Sequence, residues 1–77
     1  MKVLNFRVLL KKEPEGGYTI FVPTLLGCIT YGKDVDEAMK MAKEAIELYI
    51  ESLIAHGEEI PVEKNMLESM ITVEINA

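Results

Sequence analysis

Few side chains in this chain could carry chemistry: one cysteine, Cys28, one histidine, His56, and thirteen carboxylates. Cys28 lies within Phe21 to Gly32, FVPTLLGCITYG, between Gly27 and a short apolar run. To act as a nucleophile its thiol needs a nearby base or an electropositive setting that lowers its pKa. The only histidine is His56, which the periodicity below puts at the far end of a helix, close to Glu58 and Glu59. The other reading of Cys28 is a small buried side chain at the start of a strand. Free cysteine is among the residues most often buried, so this is the reading the sequence favours. Asp34, Asp36 and Glu37 cluster at a helix start, where capping and the helix dipole account for them. Glu58, Glu59 and Glu63 flank Pro61 in a loop and read as solvated. No cysteine and histidine set has zinc spacing, and Glu15-Gly16-Gly17 lacks the spacing of a phosphate-binding loop. The residues thus point to no catalytic set, no metal and no cofactor, and to a binding module rather than an enzyme.

The elements that must position these residues are set by size and pattern. At 77 residues the chain reads as one domain, 1–77. A domain this small buries only about 60–65% of its unfolded surface, so self-association or a bound partner is expected to add stability. The net charge of −5 argues against nucleic-acid binding. Residues 1–33 carry five Lys/Arg against two Asp/Glu, and residues 34–77 carry three Lys against eleven Asp/Glu, so the second half is strongly acidic. That half suits a basic partner protein, or is simply a solvated helix face and loop. The apolar runs are too short to span a bilayer or act as a signal peptide, which makes a cytoplasmic location with no membrane contact the default expectation.

Val3 to Leu10 alternates, with Leu4, Phe6, Val8 and Leu10 on one face, and predicts a first strand. Pro14, Gly16 and Gly17 mark a turn, and Tyr18 to Val22 is the second strand of a hairpin. Pro23 ends that strand, Thr24 to Gly27 connects, and Cys28 to Tyr31 is a third strand closed by Gly32. Asp34 then caps a helix, with Glu37 at the capping-box position. Its buried stripe is Val35, Ala38, Ala42, Ala45, Ile46, Tyr49 and Leu53, and Gly57 is the left-handed residue after it. Asp36 and Lys40 stand at a favourable four-residue spacing. The methionines Met39, Met41, Met66 and Met70 read as core filler. A helical turn is expected near Lys64 to Glu68, and Met70 to Ile75 as a last strand. The expected architecture is α+β: a β-β-β-α-β two-layer domain with an antiparallel sheet covered by one helix and one open sheet edge.

The stretch GGYTIFVPTLLGCITYGKDVDEAMKMAKEAIELYIESL resembles the HicB antitoxin family. Gly16, Gly17, Tyr18, Val22, Pro23, Leu25, Gly27, Cys28, Thr30, Gly32, Glu37 and Ala38 fit its pattern. So do Ala42, Glu44, Ala45 and Ile46, and Gly57, Ile60 and Pro61 match the segment after the helix. The likeness spans about residues 3 to 75. Thr24, Leu26 and Lys33 stand where the family usually has Asp, Pro and Asp, and Asp34 replaces the capping Thr. The resemblance implies a partial ribonuclease-H-like fold without nuclease activity, and an antitoxin of a toxin–antitoxin system. It implies a small basic HicA-like ribonuclease toxin as the partner that the chain would neutralise. Many family members continue into a DNA-binding domain; none is expected here, and so no direct nucleic-acid binding. The alternative is an orphan relative, a homo-oligomeric binding or structural protein without a toxin. A homodimer or higher homo-oligomer is expected on either reading. Contacts with a partner are expected from Tyr18, Thr24, Leu25 and Leu26 around the connector, and from Asp36, Lys40 and Glu47 on the outer helix face; the other reading of Leu25 and Leu26 is plain core, favoured for Leu25. Pro23, Gly27, Cys28, Gly32, Asp34 and Glu37 are expected to be structural.

Overall fold

A computed structural model describes residues 3–76. It contains strands β1 (Leu9–Lys12), β2 (Tyr18–Phe21) and β3 (Ile29–Gly32), the helix α1 (Val35–Ala55), and a 3-10 turn at Glu63–Asn65. The strands form one antiparallel sheet in the order β1-β2-β3. Leu9 faces Phe21 and Phe21 faces Ile29 across it; Lys12 faces Tyr18, and Tyr18 faces Gly32. Helix α1 packs on one face of the sheet, over β3 and β2. The fold is therefore the expected α+β two-layer arrangement.

The hairpin between β1 and β2 closes tightly. The Glu13 and Gly16 backbone N–H groups donate to the Gly17 and Glu13 carbonyls, both at 3.0 Å, and Gly16 and Gly17 adopt positive φ. This turn lets the ladder reach Lys12, two residues beyond the Leu10 end read from the sequence. At the other end the ladder stops at Leu9 rather than running back to Val3. The register sets Arg7 opposite Pro23, which has no N–H to donate, and the Val22 N–H donates instead to the Cys28 carbonyl at 3.1 Å.

The core forms on the helix-facing side. Ile20, Ala38 and Ala42 make one buried cluster; Val22, Leu25 and Cys28 make a second, against which Phe6, Ala45, Ile46 and Tyr49 pack. Alanines on the helix stripe bring its backbone close to the strands. Gly32 marks the closest approach, because a Cβ there would run into the Ala38 backbone. The helix start is capped as its sequence demands: Asp34 Oδ1 accepts from the Glu37 N–H at 2.8 Å. Glu37 Oε1 reaches back to the Lys33 N–H at 2.9 Å, one residue before the usual capping-box donor. The helix ends at His56 and Gly57, the latter at φ 67°.

Three expectations fail. Met70–Ile75 is not a strand: residues 66–76 are exposed throughout and belong to no ladder. Alternation alone does not make a strand, because a ladder needs an adjacent edge, and this segment reaches none. Met39, Met41, Met66 and Met70 are exposed rather than core, which is filled by Ile20, Val22, Leu25, Cys28, Ala38 and Ala42. Val35, expected on the buried stripe, is exposed because it opens α1 beyond the edge of the sheet core.

Candidate partner interface

The connector between β2 and β3 is a compact corner. The Leu25 N–H donates to the Val22 carbonyl and the Cys28 N–H to the Leu25 carbonyl, each at 3.0 Å, with Gly27 at φ 80°. Leu25 is driven into the core, 1% exposed, and so anchors the turn; Leu26 beside it is 87% exposed. The Tyr49 hydroxyl donates to the Leu26 carbonyl at 2.7 Å and fixes the corner to α1. The corner therefore presents Leu26 rigidly to solvent.

Beside it lies the sheet face that α1 does not cover. Leu9, Phe21 and Ile29 are directly opposite one another on β1, β2 and β3. Leu9 and Ile29 are exposed and Phe21 is half-buried. The next row is Lys11, Thr19 and Tyr31, whose hydroxyl donates to the Gly16 carbonyl at 2.9 Å. An apolar row bordered by a lysine and a tyrosine, on an uncovered face, is a surface suited to a protein partner. The expected site did not include Leu9, Phe21, Ile29 or Tyr31. The signal was present in Ile20-Phe21-Val22, where consecutive apolar residues must face both sides of a strand.

The expected partner-binding residues do not form one patch. Leu25 is core. Thr24 and Leu26 lie at the connector end of the sheet, while Tyr18 is half-buried at the hairpin end and packs against the Ile20 cluster. Asp36, Lys40 and Glu47 are exposed on α1. Among the described residues, the ion pairs within 4.0 Å both involve Arg7, so Asp36 and Lys40 stand apart.

Arg7 organises the chain after the helix. Its backbone N–H donates to Glu63 Oε1 at 3.0 Å, its Nε to Glu63 Oε2 at 3.2 Å and its second guanidinium nitrogen to Glu68 Oε1 at 2.8 Å. The Thr24 hydroxyl and the Arg7 N–H and guanidinium hold the Glu63 carboxyl below the usual carboxylate range. The Thr24 hydroxyl oxygen also lies 3.8 Å from Met66 Sδ. The clasp joins residues 63–68 to the connector end of the sheet.

The two residues with nucleophile and base potential are separated. Cys28 is buried among apolar side chains, and that burial pushes its thiol pKa up, opposite to the shift a nucleophile needs. His56 Nδ1 lies 2.7 Å from the Ser52 carbonyl, at the exposed end of α1. Among the described residues no group of three or more His, Cys, Asp and Glu could hold a metal ion. None of their helices is long and apolar enough to cross a membrane.

Comparison with known proteins adds a sequence relationship. A family model described as HicB-like antitoxin of bacterial toxin-antitoxin system matches residues 6–76. A UPF0150 protein of Synechocystis sp. is 50% identical over 62 residues, covering 80% of this chain and 78% of that protein. A UPF0150 protein of Thermoplasma acidophilum is 47% identical over 58 residues, covering 75% of this chain and 84% of its own length. An uncharacterised 14.9 kDa protein of Haemophilus phage HP1 is 42% identical over 60 residues, 78% of this chain but 44% of the phage protein.

Proposed function

This chain belongs to the HicB-like antitoxin family of bacterial toxin–antitoxin systems, and from that premise we propose that it neutralises a small basic HicA-like ribonuclease by binding it. The match across residues 6–76 carries the reading, because it covers nearly the whole sheet, helix and clasp rather than one motif. Two physical features support it. The net charge of −5, concentrated after residue 33, favours rapid encounter with a basic protein. The uncovered row Leu9, Phe21 and Ile29, with Leu26 at the corner, supplies apolar area that such a complex needs at its centre.

On this reading the protein is a cytoplasmic, non-enzymatic, self-associating single domain that acts by occlusion. The acidic helix face, with Asp36, Glu47 and Lys40, steers the toxin, and the apolar row seats it. The test is RNA cleavage by a small basic HicA-like ribonuclease, titrated with the chain. Cleavage is expected to fall to background near one equivalent. Ile29→Asp should raise the amount needed by about tenfold or more, as loss of a central apolar contact does. Cleavage unchanged at a several-fold excess of the wild-type chain would refute the proposal.

A further inference from the structure

Toxin binding as described above makes no use of the longest-range side-chain contacts in the fold. Arg7 bonds to Glu63 through its backbone N–H and Nε, and to Glu68 through its second guanidinium nitrogen, across 56 and 61 residues of sequence. Phe6 and Val8 pack into the helix-side core. Arg7, between them, therefore projects to the uncovered side of the sheet, as Leu9 does. The clasp lays residues 63–68 along the connector end of the same face that carries the row Leu9, Phe21 and Ile29. Two further contacts fix its course. The Met66 N–H donates to the Glu63 carbonyl at 2.9 Å, and Met66 Sδ lies 3.8 Å from the Thr24 hydroxyl oxygen.

This strap reverses the usual order of burial. Its carboxylate is turned in, with the Glu63 side chain 17% exposed, while Met66 and Leu67 are 47% and 99% exposed. Leu26, also exposed, stands two residues from Thr24 on the connector that the strap touches. Exposed apolar side chains thus continue from Ile29 through Leu26 to the strap, and a contiguous apolar surface rimmed by charge marks a protein contact. The charge is graded across it. Lys11 stands on the far side of the row. Residues 58–68 carry four glutamates against Lys64 and, with Arg7 included, keep a net charge of −2.

We propose that residues 63–68 form one wall of the toxin seat, that Met66 and Leu67 contact the basic partner, and that Arg7 and Glu63 are the positioning residues that hold them there. The inference rests on the toxin-binding reading above. The fitting surface on the partner has an apolar centre and a cationic rim toward the strap, and the gradient from Lys11 to the strap sets which way round it docks. A strap already fixed by its own ion pairs loses little further freedom on binding, so its contacts count nearly in full toward affinity.

The test is inhibition of RNA cleavage by a small basic HicA-like ribonuclease, titrated with the full chain and its variants at concentrations where circular dichroism shows each to be folded. M66A/L67A should raise the concentration for half-inhibition by about tenfold, as loss of a central apolar contact does. E63Q, which loosens the clasp, should raise it by about fivefold. The triple variant E63Q/M66A/L67A should be no weaker than M66A/L67A, because a positioning residue has no effect once the side chains it positions are gone. A merely structural role for Glu63 predicts the full fivefold loss in both backgrounds, and that result would overturn the positioning role. M66A/L67A inhibiting as well as wild type would overturn the wall itself, and doing so with altered sedimentation would assign the strap to contact with another copy instead. Absence of inhibition by the wild-type chain would sink the toxin reading and this inference with it; the variants fail separately only when the wild type inhibits. If E63Q does not fold, E68Q, which removes only the exposed arm of the clasp, takes its place in the cycle.

Discussion

Cys28 is the residue on which a nucleophilic reading would rest, and its surroundings are apolar. Val22 and Leu25 enclose the thiol, the nearest helix residues are Ala45, Ile46 and Tyr49, and burial raises its pKa. The thiol therefore should label slowly with a disulfide reagent in the native protein and at the rate of a free thiol in denaturant. Cys28→Ser, which adds a hydroxyl to an apolar pocket, is expected to lower the unfolding free energy by about 1–3 kcal/mol, read from urea denaturation. Cys28→Ala should cost less, because it introduces no polar group. Both variants should neutralise the toxin as well as wild type once folded. Burial of position 28 was legible from the sequence, since free cysteine is among the residues most often buried. Of the two connector leucines, Leu25 was the readier core residue, and the turn that drives it inward leaves Leu26 outside.

Among the elements, α1 was the most legible. Asp34, Glu37, the alanine stripe and Gly57 give its start, its buried face and its stop locally, because capping and periodicity depend on neighbours within a few residues. Asp34→Ala removes the acceptor for the Glu37 N–H and should cost about 1 kcal/mol, whereas Asp34→Thr should stay within about 0.5 kcal/mol. Thermal denaturation of the two variants side by side checks the ranking. Strand limits were less legible. The end of β1 depends on Pro23 across the sheet and its other end on the Gly16-Gly17 turn, so its span is fixed by its partner rather than by its own residues. Met70–Ile75 carries a strand pattern as clear as that of Val3–Leu10, but within one chain it meets no edge.

At the level of the whole molecule, one clasp ties the two ends of the described chain together. Glu63 is held by Thr24 and Arg7 and its folded pKa lies below its unfolded value. A depressed carboxylate contributes stability that is fully present above the unfolded pKa, about 4.3, and is lost as pH falls through the lower folded pKa. Unfolding free energy should therefore decline below about pH 4.3, and Glu63→Gln should flatten that decline while lowering stability at neutral pH. Denaturant titrations between pH 3 and 7 measure both. The same clasp sets where Met66–Asn76 leaves the sheet.

The sequence by itself determined everything here that rests on local chemistry. That includes the α+β class, the capped amphipathic helix, the hairpin turn and the burial of Cys28. It also held the antitoxin-family pattern from Gly16 onward. Only the tertiary structure decided what depends on residues far apart in the chain. It set Leu9, Phe21 and Ile29 in one exposed row, linked Arg7 to Glu63 and Glu68, and left Ile71, Val73 and Ile75 without a ladder. The reason is physical: a helix satisfies its own backbone within one turn, while a strand is completed only by an edge that the rest of the fold, or another copy of it, must bring alongside.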